Sequence, residues 1–409
     1  MKDQILKRIE AGTDFVLELQ KGLTAIPAIS PDSGGTGEHD KAVWLEAQLR
    51  KLPFDDIKRI DAPDARAKNG VRPSLVARYK GKGSGKTLWI MSHLDIVPPG
   101  EMSQWKSDPY VLRVESGKVF GRGVEDNQQA IVSSLLMVKA MMDSGYRPDV
   151  DIALLFVADE ENGSDYGADY LVEHHPGLFG PRDAFLVPDG GNPDGTMVEV
   201  AEKSILWLKI RTEGKQCHAS APERGINAFR AASDLVVRLN ALHRKFPKAD
   251  PLFDPPISPF EPTKKEPNVP NVNTIPGDDV FYLDSRVLPC YPLAKVKAEI
   301  RRLAALVEKA YKVTITIDPV QEAQAAPPTP PDSEFVQLVV ESIKEVHNVR
   351  PKPQGIGGGT VAASLRRLGL HAVVYSKLDD TAHQPNEYCI LENLRGDAKV
   401  FALTAMKLK

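Results

Sequence analysis

Residues 87–99 read Thr-Leu-Trp-Ile-Met-Ser-His-Leu-Asp-Ile-Val-Pro-Pro. The apolar run at the start predicts a buried strand, and the two prolines at the end stop it. His93 and Asp95 are two residues apart at this strand end, so their side chains share a face and can reach one target. A metal-binding histidine needs a carboxylate or carbonyl oxygen on its second ring nitrogen, which Asp95 can supply. Such a pair on its own is more often part of a surface loop, so the interpretation depends on the rest of the chain.

Three further apolar runs also lead into polar residues. They are 152–158 before Asp159-Glu160-Glu161, 184–187 before Pro188-Asp189-Gly190-Gly191, and 371–375 before Thr381-Ala382-His383. Residues 128–142 have the apolar spacing of a helix that packs on a sheet. Near-continuous apolar strands that alternate with helices predict a mixed α/β sheet covered by helices on both faces. Ligands of such folds collect at the carboxyl ends of the strands, which is where these polar groups fall.

A different order of elements begins near residue 205. The pattern predicts a strand at 205–210, a helix at 226–246, strands at 269–275 and 280–288, a helix at 293–311 and a strand at 313–317. This β-α-β-β-α-β order is typical of a ferredoxin-like domain. The proline-rich linker 325–331 suits a return to the first domain. We therefore expect residues 1–204 and 321–409 to form one discontinuous catalytic domain that contains 205–320 as an insertion.

The composition excludes several classes of protein. A chain of 409 residues with 42% hydrophobic and 26% charged residues predicts a globular protein of two or three domains. The net charge of -3 does not favour binding to nucleic acid or to an anionic membrane. No apolar stretch approaches the roughly 20 residues of a membrane span, and the start is not that of a signal peptide, so a cytoplasmic location is expected. Three widely spaced cysteines do not predict a disulfide framework or a zinc finger.

Any metal must then be held by histidines and carboxylates. The candidates are His93, Asp126, Glu161, Asp189 and His383, with Asp95 and Glu160 as close companions. Two divalent ions need one or two nitrogen donors each and several carboxylates, one of which can bridge. Glu160 and Glu161 are adjacent and should point to different sides, so one can bind metal while the other acts as a base. Each carboxylate taken singly is more typical of a helix cap or a turn. Their joint position at strand ends favours the metal site.

These residues carry a resemblance to a known family. The sequence resembles the dinuclear zinc peptidases and deacylases that include acetylornithine deacetylase, succinyl-diaminopimelate desuccinylase, aminoacylase, carnosinase-like dipeptidases and carboxypeptidase G. The motifs are 92–98, Gly121-Arg122-Gly123 with Asp126, 159–164, 188–191 and His383. The resemblance implies that His93 and Asp189 hold one ion, that Glu161 and His383 hold the other, and that Asp126 bridges them. It also implies that Asp95 orients His93, that Glu160 is the general base, and that the bond between Asp126 and Asn127 is cis.

The inserted domain resembles the lid and dimerisation domain of that family. The resemblance implies that His218, often donated by the partner subunit, stabilises the oxyanion, and that Asn271 and Arg286 hold substrate. The backbone at Gly358, Gly359 and Thr360, which we expect to open a helix, could receive an anionic substrate end. From the residues alone, His218 is more typical of a surface loop, Arg286 could form a structural ion pair with Asp284, and the glycines could be a plain turn.

The predicted function is therefore hydrolysis of the amide bond of a small substrate with a free carboxylate, a dipeptide or an N-acyl amino acid. Two divalent ions are expected, zinc first, with cobalt or manganese as alternatives, and the inserted domain is expected to form a homodimer. An acetyl or succinyl amino-acid deacylase of the desuccinylase type is the main alternative, and a catalytically silent homologue is another. The sequence departs from the family pattern at residues 127–130 and 361–363, so the resemblance does not identify the substrate.

Residues 81–87, Gly-Lys-Gly-Ser-Gly-Lys-Thr, resemble the phosphate-binding P-loop of ATPases. The first glycine of a P-loop is missing, because Lys80 stands at that position. The segment also precedes a strand, whereas a P-loop follows a strand and opens a helix. We interpret it as a flexible loop.

Overall fold

A computed structural model describes all residues from Met1 to Lys409. Residues 1–200, 329–354 and 364–409 form one compact unit, here called the first unit. Residues 201–328 and 355–363 form the second unit. The predicted insertion, 205–320, falls within the second unit, which in addition contains residues 201–204, 321–328 and 355–363.

The helices and strands are numbered in chain order. The helices are α1 Lys2–Glu10, α2 Thr13–Thr24, α3 His39–Leu49, α4 Gln128–Asp143, α5 Ala168–His174, α6 Ala228–Leu239, α7 Ala241–Lys245, α8 Leu293–Tyr311, α9 Glu334–His347, α10 Ala362–Arg367 and α11 Leu391–Lys407. The strands are β1 Asp56–Pro63, β2 Val71–Tyr79, β3 Thr87–His93, β4 Arg113–Glu115, β5 Lys118–Phe120, β6 Asp151–Val157, β7 Ala184–Gly191, β8 Met197–Glu202, β9 Ser204–Glu213, β10 Cys217–His218, β11 Phe260–Lys265, β12 Thr274–Ile275, β13 Asp278–Val287, β14 Thr314–Ala323, β15 Lys352–Ile356, β16 His371–Ser376 and β17 Tyr388–Ile390. None of the helices combines the length and apolar character that crossing a bilayer requires.

The first unit is built on an eight-stranded sheet with the order β1-β2-β6-β3-β7-β16-β8-β15. Its centre is parallel, since β3 pairs in parallel with β6 and β7, and β7 with β16. Antiparallel pairs flank this centre, β1 with β2 and β2 with β6 on one side and β8 with β16 on the other. Every residue of β3 is buried, as the apolar run predicts. The mixed α/β sheet flanked by helices is confirmed.

Helix α4 lies between the sheet and other helices. It packs on β3 and β6 and is covered by α2 and α11, and this explains why even Ser133 and Ser134 on it are buried. Their hydroxyls donate to the backbone carbonyls of Gln129 and Ile131, so both buried serines have a hydrogen-bond partner.

The second unit contains a four-stranded antiparallel sheet with the order β11-β13-β9-β14. Helices α6 and α8 pack together on this sheet around an apolar core. Four strands and two major helices follow one another as β-α-β-β-α-β, the order that the sequence predicts.

The prediction of a strand at 269–275 is wrong. Only Thr274–Ile275 is extended there, in a two-residue pairing with β10, and the second strand of the sheet is β11, within the proline-rich segment. Pro262 is tolerated because β11 is an edge strand that pairs only with β13, with an irregular register between Pro262 and Lys264. The predicted helix 226–246 is also divided, into α6 and α7.

Candidate metal centre

Five separate segments of the first unit bring the candidate ligands to one end of the parallel strands. His93 is the last residue of β3, and Asp189 lies near the end of β7. Glu160 and Glu161 form a short turn after β6, Asp126 precedes α4, and His383 follows β16. The carboxyl ends of parallel strands meet at the same edge of a sheet, which is why residues so distant in sequence meet here.

The candidate ligands form two donor groups. His93, Asp126 and Asp189 make one group, and Asp126, Glu161 and His383 make the other; the donor atoms of each group lie within 4.8 Å of one another. In the first group, Nε2 of His93 is 2.9 Å from Oδ1 of Asp126 and 3.4 Å from Oδ1 of Asp189. In the second, Nε2 of His383 is 3.1 Å from Oδ2 of Asp126 and 3.1 Å from Oε2 of Glu161. Asp126 thus offers one oxygen to each group.

This donor set fits two divalent ions. Each group combines one imidazole nitrogen with carboxylate oxygens, the ligand types that zinc, cobalt and manganese accept. The two groups differ in exposure: the side chain of His93 is 1% exposed and that of His383 is 54% exposed. The histidine of one group is therefore buried, and the histidine of the other faces solvent.

Asp95 touches both His93 and the turn that carries the glutamates. Nδ1 of His93 lies 3.0 Å from the backbone oxygen of Asp95 and 3.4 Å from its Oδ1, so the carbonyl is the nearer partner. The two carboxylate oxygens of Asp95 accept hydrogen bonds from the backbone N–H groups of Glu160 and Glu161, at 3.1 and 3.0 Å. Asp95 is fully buried. It orients a ligand and the Glu160–Glu161 turn together, and the sequence predicts only the first of these roles.

Asn127 is a further residue of the site that sequence reasoning missed. Its Nδ2 donates to Oδ1 of Asp189 at 2.7 Å and to the carbonyl of Pro188 at 3.0 Å. Its Oδ1 accepts a hydrogen bond from the backbone N–H of His93 at 3.4 Å. The peptide bond between Asp126 and Asn127 is cis, as the resemblance implies.

The carboxyl group at the centre that belongs to neither donor group is that of Glu160. Burial, followed by the nearby carboxylate of Asp189, raises the pKa of Glu160 well above its ordinary value. A raised pKa brings a carboxyl group closer to the range in which it can both take and return a proton. The turn that carries it begins at Asp159, which has a positive φ of 62°. Asp159 is bound there by the buried Arg72, whose Nη2 donates to Oδ1 of Asp159 at 3.0 Å.

Two buried glutamates hold the loops that carry the ligands, and sequence reasoning missed both. Glu125 accepts hydrogen bonds from the backbone N–H groups of residues 379, 381 and 382 and from the hydroxyl of Thr381. Glu387 accepts from the backbone N–H groups of Gly123, Glu125 and Asp126 and forms an ion pair of 2.6 Å with Arg122. Their only sequence signal is adjacency to a ligand: Glu125 precedes Asp126, and Glu387 follows His383 by four positions.

The candidate substrate residues of the second unit are engaged with their own neighbours. His218 is exposed, and its Nδ1 lies 2.7 Å from Oγ of Ser220. Nδ2 of Asn271 donates to Oγ1 of Thr274 at 2.8 Å. These contacts neither require nor prevent a role in substrate binding.

Arg286 forms the ion pair with Asp284 that the sequence left as an alternative. Its Nε and Nη2 lie 2.8 and 3.2 Å from the two carboxylate oxygens of Asp284. Its Nη1 donates to the carbonyl of Gly357 at 2.8 Å, and the guanidinium lies 5.1 Å from the ring centre of Trp207. Arg286 therefore stands against the glycine-rich loop, and binding of a substrate by this arginine stays a prediction.

The loop 357–360 has open space around its glycines. A Cβ built on Gly358 or Gly359 would meet its nearest atoms at 3.9 and 3.8 Å, so packing does not require glycine there. The N–H and hydroxyl of Thr360 donate to Oε1 of Glu202 at 3.0 and 2.6 Å. The helix that follows, α10, begins at Ala362, and binding of an anionic substrate end at this loop stays a prediction.

The P-loop interpretation is excluded by the local structure. Residues 81–86 form a loop that leads directly into β3, with Gly83 and Gly85 at positive φ. A phosphate-binding P-loop opens a helix.

Comparison with known proteins agrees with this geometry. The family described as peptidase family M20/M25/M40 matches residues 89–407. A metallohydrolase of Methanococcus maripaludis is 38% identical over 407 residues, 95% of this chain and 98% of the relative. A succinyl-diaminopimelate desuccinylase of Nitratiruptor is 25% identical and covers 91% of this chain and 94% of its own. The solved dipeptidase Dug1p from Saccharomyces cerevisiae has the same fold, with a TM-score of 0.73 and 17% identity over 99% of this chain and 98% of its own. The chain therefore belongs to peptidase family M20/M25/M40 and is a metallohydrolase that acts on amide bonds.

Proposed function

We propose that this protein uses two divalent metal ions to hydrolyse the amide bond of a small substrate with a free carboxylate, either a dipeptide or an N-acyl amino acid. The observation that carries the proposal is the pair of donor groups that share Asp126, with one oxygen directed to each histidine. A carboxylate that reaches both ions can hold them close together, as a two-metal hydrolytic site requires.

The proposed ligands are His93 and Asp189 for one ion, Glu161 and His383 for the other, and Asp126 for both. Zinc is the first expectation because it is held by imidazole nitrogen and carboxylate oxygen in catalytic sites. Cobalt and manganese bind the same ligand types, so metal identity is part of the test.

When bound, such ions polarise the scissile carbonyl and bring the pKa of a water molecule toward neutrality. In the proposed reaction Glu160 takes a proton from the attacking water at its carboxylate and later delivers it to the leaving nitrogen. Asp95 keeps His93 oriented and fixes the backbone of Glu160, so the metal ligand and the general base keep a fixed relative position. Its two hydrogen bonds to the Glu160–Glu161 turn support this role.

The family resemblance adds residues of the second unit to the proposal. His218 would stabilise the oxyanion, and Asn271 and Arg286 would hold the substrate. The backbone and side chain of the segment Gly358, Gly359 and Thr360 would bind its carboxylate. The open space at the two glycines supports close approach by a ligand. A homodimer formed through the inserted domain and a cytoplasmic location remain predictions from the sequence.

Removal of an acetyl or succinyl group from an amino acid is the second candidate. It is favoured by the similarity to desuccinylases, which extends over 91% of this chain. A silent homologue is less well supported, because Glu160 and all five proposed ligands are in place.

The test is a hydrolysis screen with the full chain. Protein stripped by a chelator would be reloaded with zinc, cobalt or manganese and offered dipeptides, acetyl amino acids and succinyl amino acids. We expect metal-dependent release of free amino acid, and we expect Glu160→Ala to retain its metal while losing about 10²- to 10⁴-fold in rate. Absence of hydrolysis with every metal, or full activity of Glu160→Ala, would contradict the proposal.

A further inference from the structure

A small cavity opens beside the candidate metal centre in the first unit. It has a volume of about 220 Å³ and borders Asp126 and Asp189. Its other lining residues include Met197, Leu378 and Asp380. Pockets for drug-sized ligands measure roughly 300–1,000 Å³, so this cavity suits one small group of a substrate and not a whole peptide.

One wall of the cavity is a fixed piece of backbone. Leu378, Asp380 and Ala382 line it, and the N–H groups of residues 379, 381 and 382 donate to the buried Glu125. Because Glu125 takes these N–H groups, the wall is held without using the side chains of Leu378, Asp380 and Ala382. This is the preorganisation that a specificity pocket needs.

All ionisable side chains that line the cavity are acidic. No lysine, arginine or histidine lines the cavity, and its ionisable residues are Glu125, Asp126, Asp189 and Asp380. Glu125 is satisfied by four hydrogen bonds, and Asp126 and Asp189 are proposed ligands. Asp380 is exposed, and no hydrogen bond or ion pair engages its carboxylate. It is the one carboxylate at the cavity that is free for a substrate.

Donors for an anion are also lacking among the lining side chains. Asn127 is the only amide there, and both hydrogens of its Nδ2 are used, for Asp189 and for Pro188. Bound ions would offset the charge of Asp126 and Asp189. A carboxylate placed in this cavity would then face Asp380 without a side-chain donor, and that is costly. An ammonium group would face Asp380, and an aliphatic side chain would pack on Met197 and Leu378.

We infer that this cavity binds the acyl side of the scissile amide, that Asp380 recognises a free ammonium group there, and that the enzyme prefers dipeptides with an aliphatic first residue over succinyl amino acids. This inference rests on the proposed function and selects between its two candidate substrate classes. Asp380 acts in it as a specificity determinant and takes no part in bond cleavage.

The experiment compares three substrates that all release glycine: leucylglycine, N-acetyl-leucylglycine and N-succinylglycine. Because glycine is the leaving group of all three, differences in kcat/KM report on the acyl side of the substrate. We expect kcat/KM of the metal-loaded wild type to be highest for leucylglycine. Asp380→Asn should reduce the advantage of leucylglycine over its acetylated form roughly 1.4- to fivefold, the range for one exposed charge contact. Asp380→Lys should shift preference toward N-succinylglycine.

Asp379→Asn is the matched control, since it removes the same charge one position away and does not line the cavity. Its preference ratio should equal that of the wild type. Elemental analysis should show equal metal content in all variants. A wild type that prefers N-succinylglycine, or an Asp380→Asn variant in which all three substrates change alike, would overturn the inference.

Binding measurements separate this inference from the proposed function. If no substrate in any screen is hydrolysed, the proposed function fails, and calorimetry with L-leucine and N-acetyl-L-leucine then decides about the cavity. Tighter binding of L-leucine that is lost in Asp380→Asn supports the pocket. Equal binding of the two compounds, or binding that does not depend on Asp380, overturns it.

Discussion

Glu125 and Glu387 each bind the backbone of the segment that carries the other. Glu387 receives the N–H groups of Glu125 and of the neighbouring Asp126, and Glu125 receives the N–H groups that lead to His383. Two ligand-bearing loops that lie more than 250 residues apart are thereby fixed to one another. The reciprocal arrangement means that disturbing either glutamate should loosen both loops.

Glu387→Ala should therefore lower both stability and metal affinity. The variant leaves the buried Arg122 without its partner, a loss that costs about 3–5 kcal/mol when one member of a buried pair is removed, and it frees the N–H groups around Asp126. Urea unfolding of the metal-free protein and metal titration would measure the two effects. Glu345→Ala is the control, because Glu345 pairs with Lys2 and Lys407 at the surface and should matter by less than about 1 kcal/mol. Equal effects of the two substitutions would contradict this view of Glu387.

Asp95→Asn should weaken metal binding without emptying the site. The amide keeps one oxygen for the Glu160–Glu161 turn but presents its NH₂ group to the second N–H. Loss of a residue that orients a metal ligand typically costs about 10- to 100-fold in metal affinity or activity. Equilibrium dialysis with zinc, followed by elemental analysis, would measure this. Metal affinity equal to that of the wild type would show that the backbone carbonyl of Asp95 alone orients His93.

His383→Ala should reduce the metal content of the protein. The substitution removes the only nitrogen donor of the second group and leaves His93 with its partners intact. We expect the variant to retain about one ion where the wild type holds two, measured by elemental analysis after dialysis. His174→Ala, at an exposed histidine outside both donor groups, is the control. Unchanged stoichiometry in His383→Ala would reject His383 as a ligand.

His218 can be tested through subunit mixing. If a partner subunit donates His218, co-expression of His218→Ala with Glu160→Ala should restore some activity, because a mixed dimer contains one site with both residues intact. The measurement is turnover by purified mixed dimers, with each variant alone as the control. Confirmed mixed dimers without any recovery would count against donation in trans.

His347 should make folding stability sensitive to acid. Burial, with help from Lys377 and Lys399, lowers the pKa of His347 from 6.5 to about 4. Between these values the unfolded chain binds a proton that the folded protein does not, so stability is full above pH 6.5 and falls as pH drops toward 4. Over this pH range, the free energy of unfolding of the wild type should fall by on the order of 2 kcal/mol more than that of His347→Gln. Urea unfolding at several pH values would measure the difference, and equal slopes would refute it.

The tight packing around His347 provides the structural reason for its burial. A Cβ built on Gly396 of α11 would lie 2.5 Å from Cε1 of His347. Glycine at this position lets the end of α9 approach α11 closely. Gly396→Ala should therefore destabilise the protein in the way of an overpacked core, by about 1–3 kcal/mol, as measured by thermal unfolding.

The sequence predicts the ligands well because their signal is local. An apolar run predicts a strand, and histidine, aspartate or glutamate directly after several such runs indicates a shared site. The resemblance then assigns His93, Asp126 and His383 to groups that the structure also brings together. Residue type and position after a strand are both readable from one chain.

The supporting contacts are not predictable in this way. Glu125 and Glu387 bind backbone N–H groups, which every residue other than proline offers, so no pairing of residue types marks them. Strand β11 was missed because a proline argues against a strand unless the strand is known to lie at a sheet edge. Both failures concern relations between distant segments, and these depend on the completed fold.

The unequal exposure of His93 and His383 has a consequence for metal exchange. One ion would be bound by the buried imidazole of His93, whereas the other would be bound by the solvent-exposed imidazole of His383. The two positions should then empty and refill at different speeds, and a form with a single ion should persist between the empty and full states. Loading with two metals in succession would place a different element at each position.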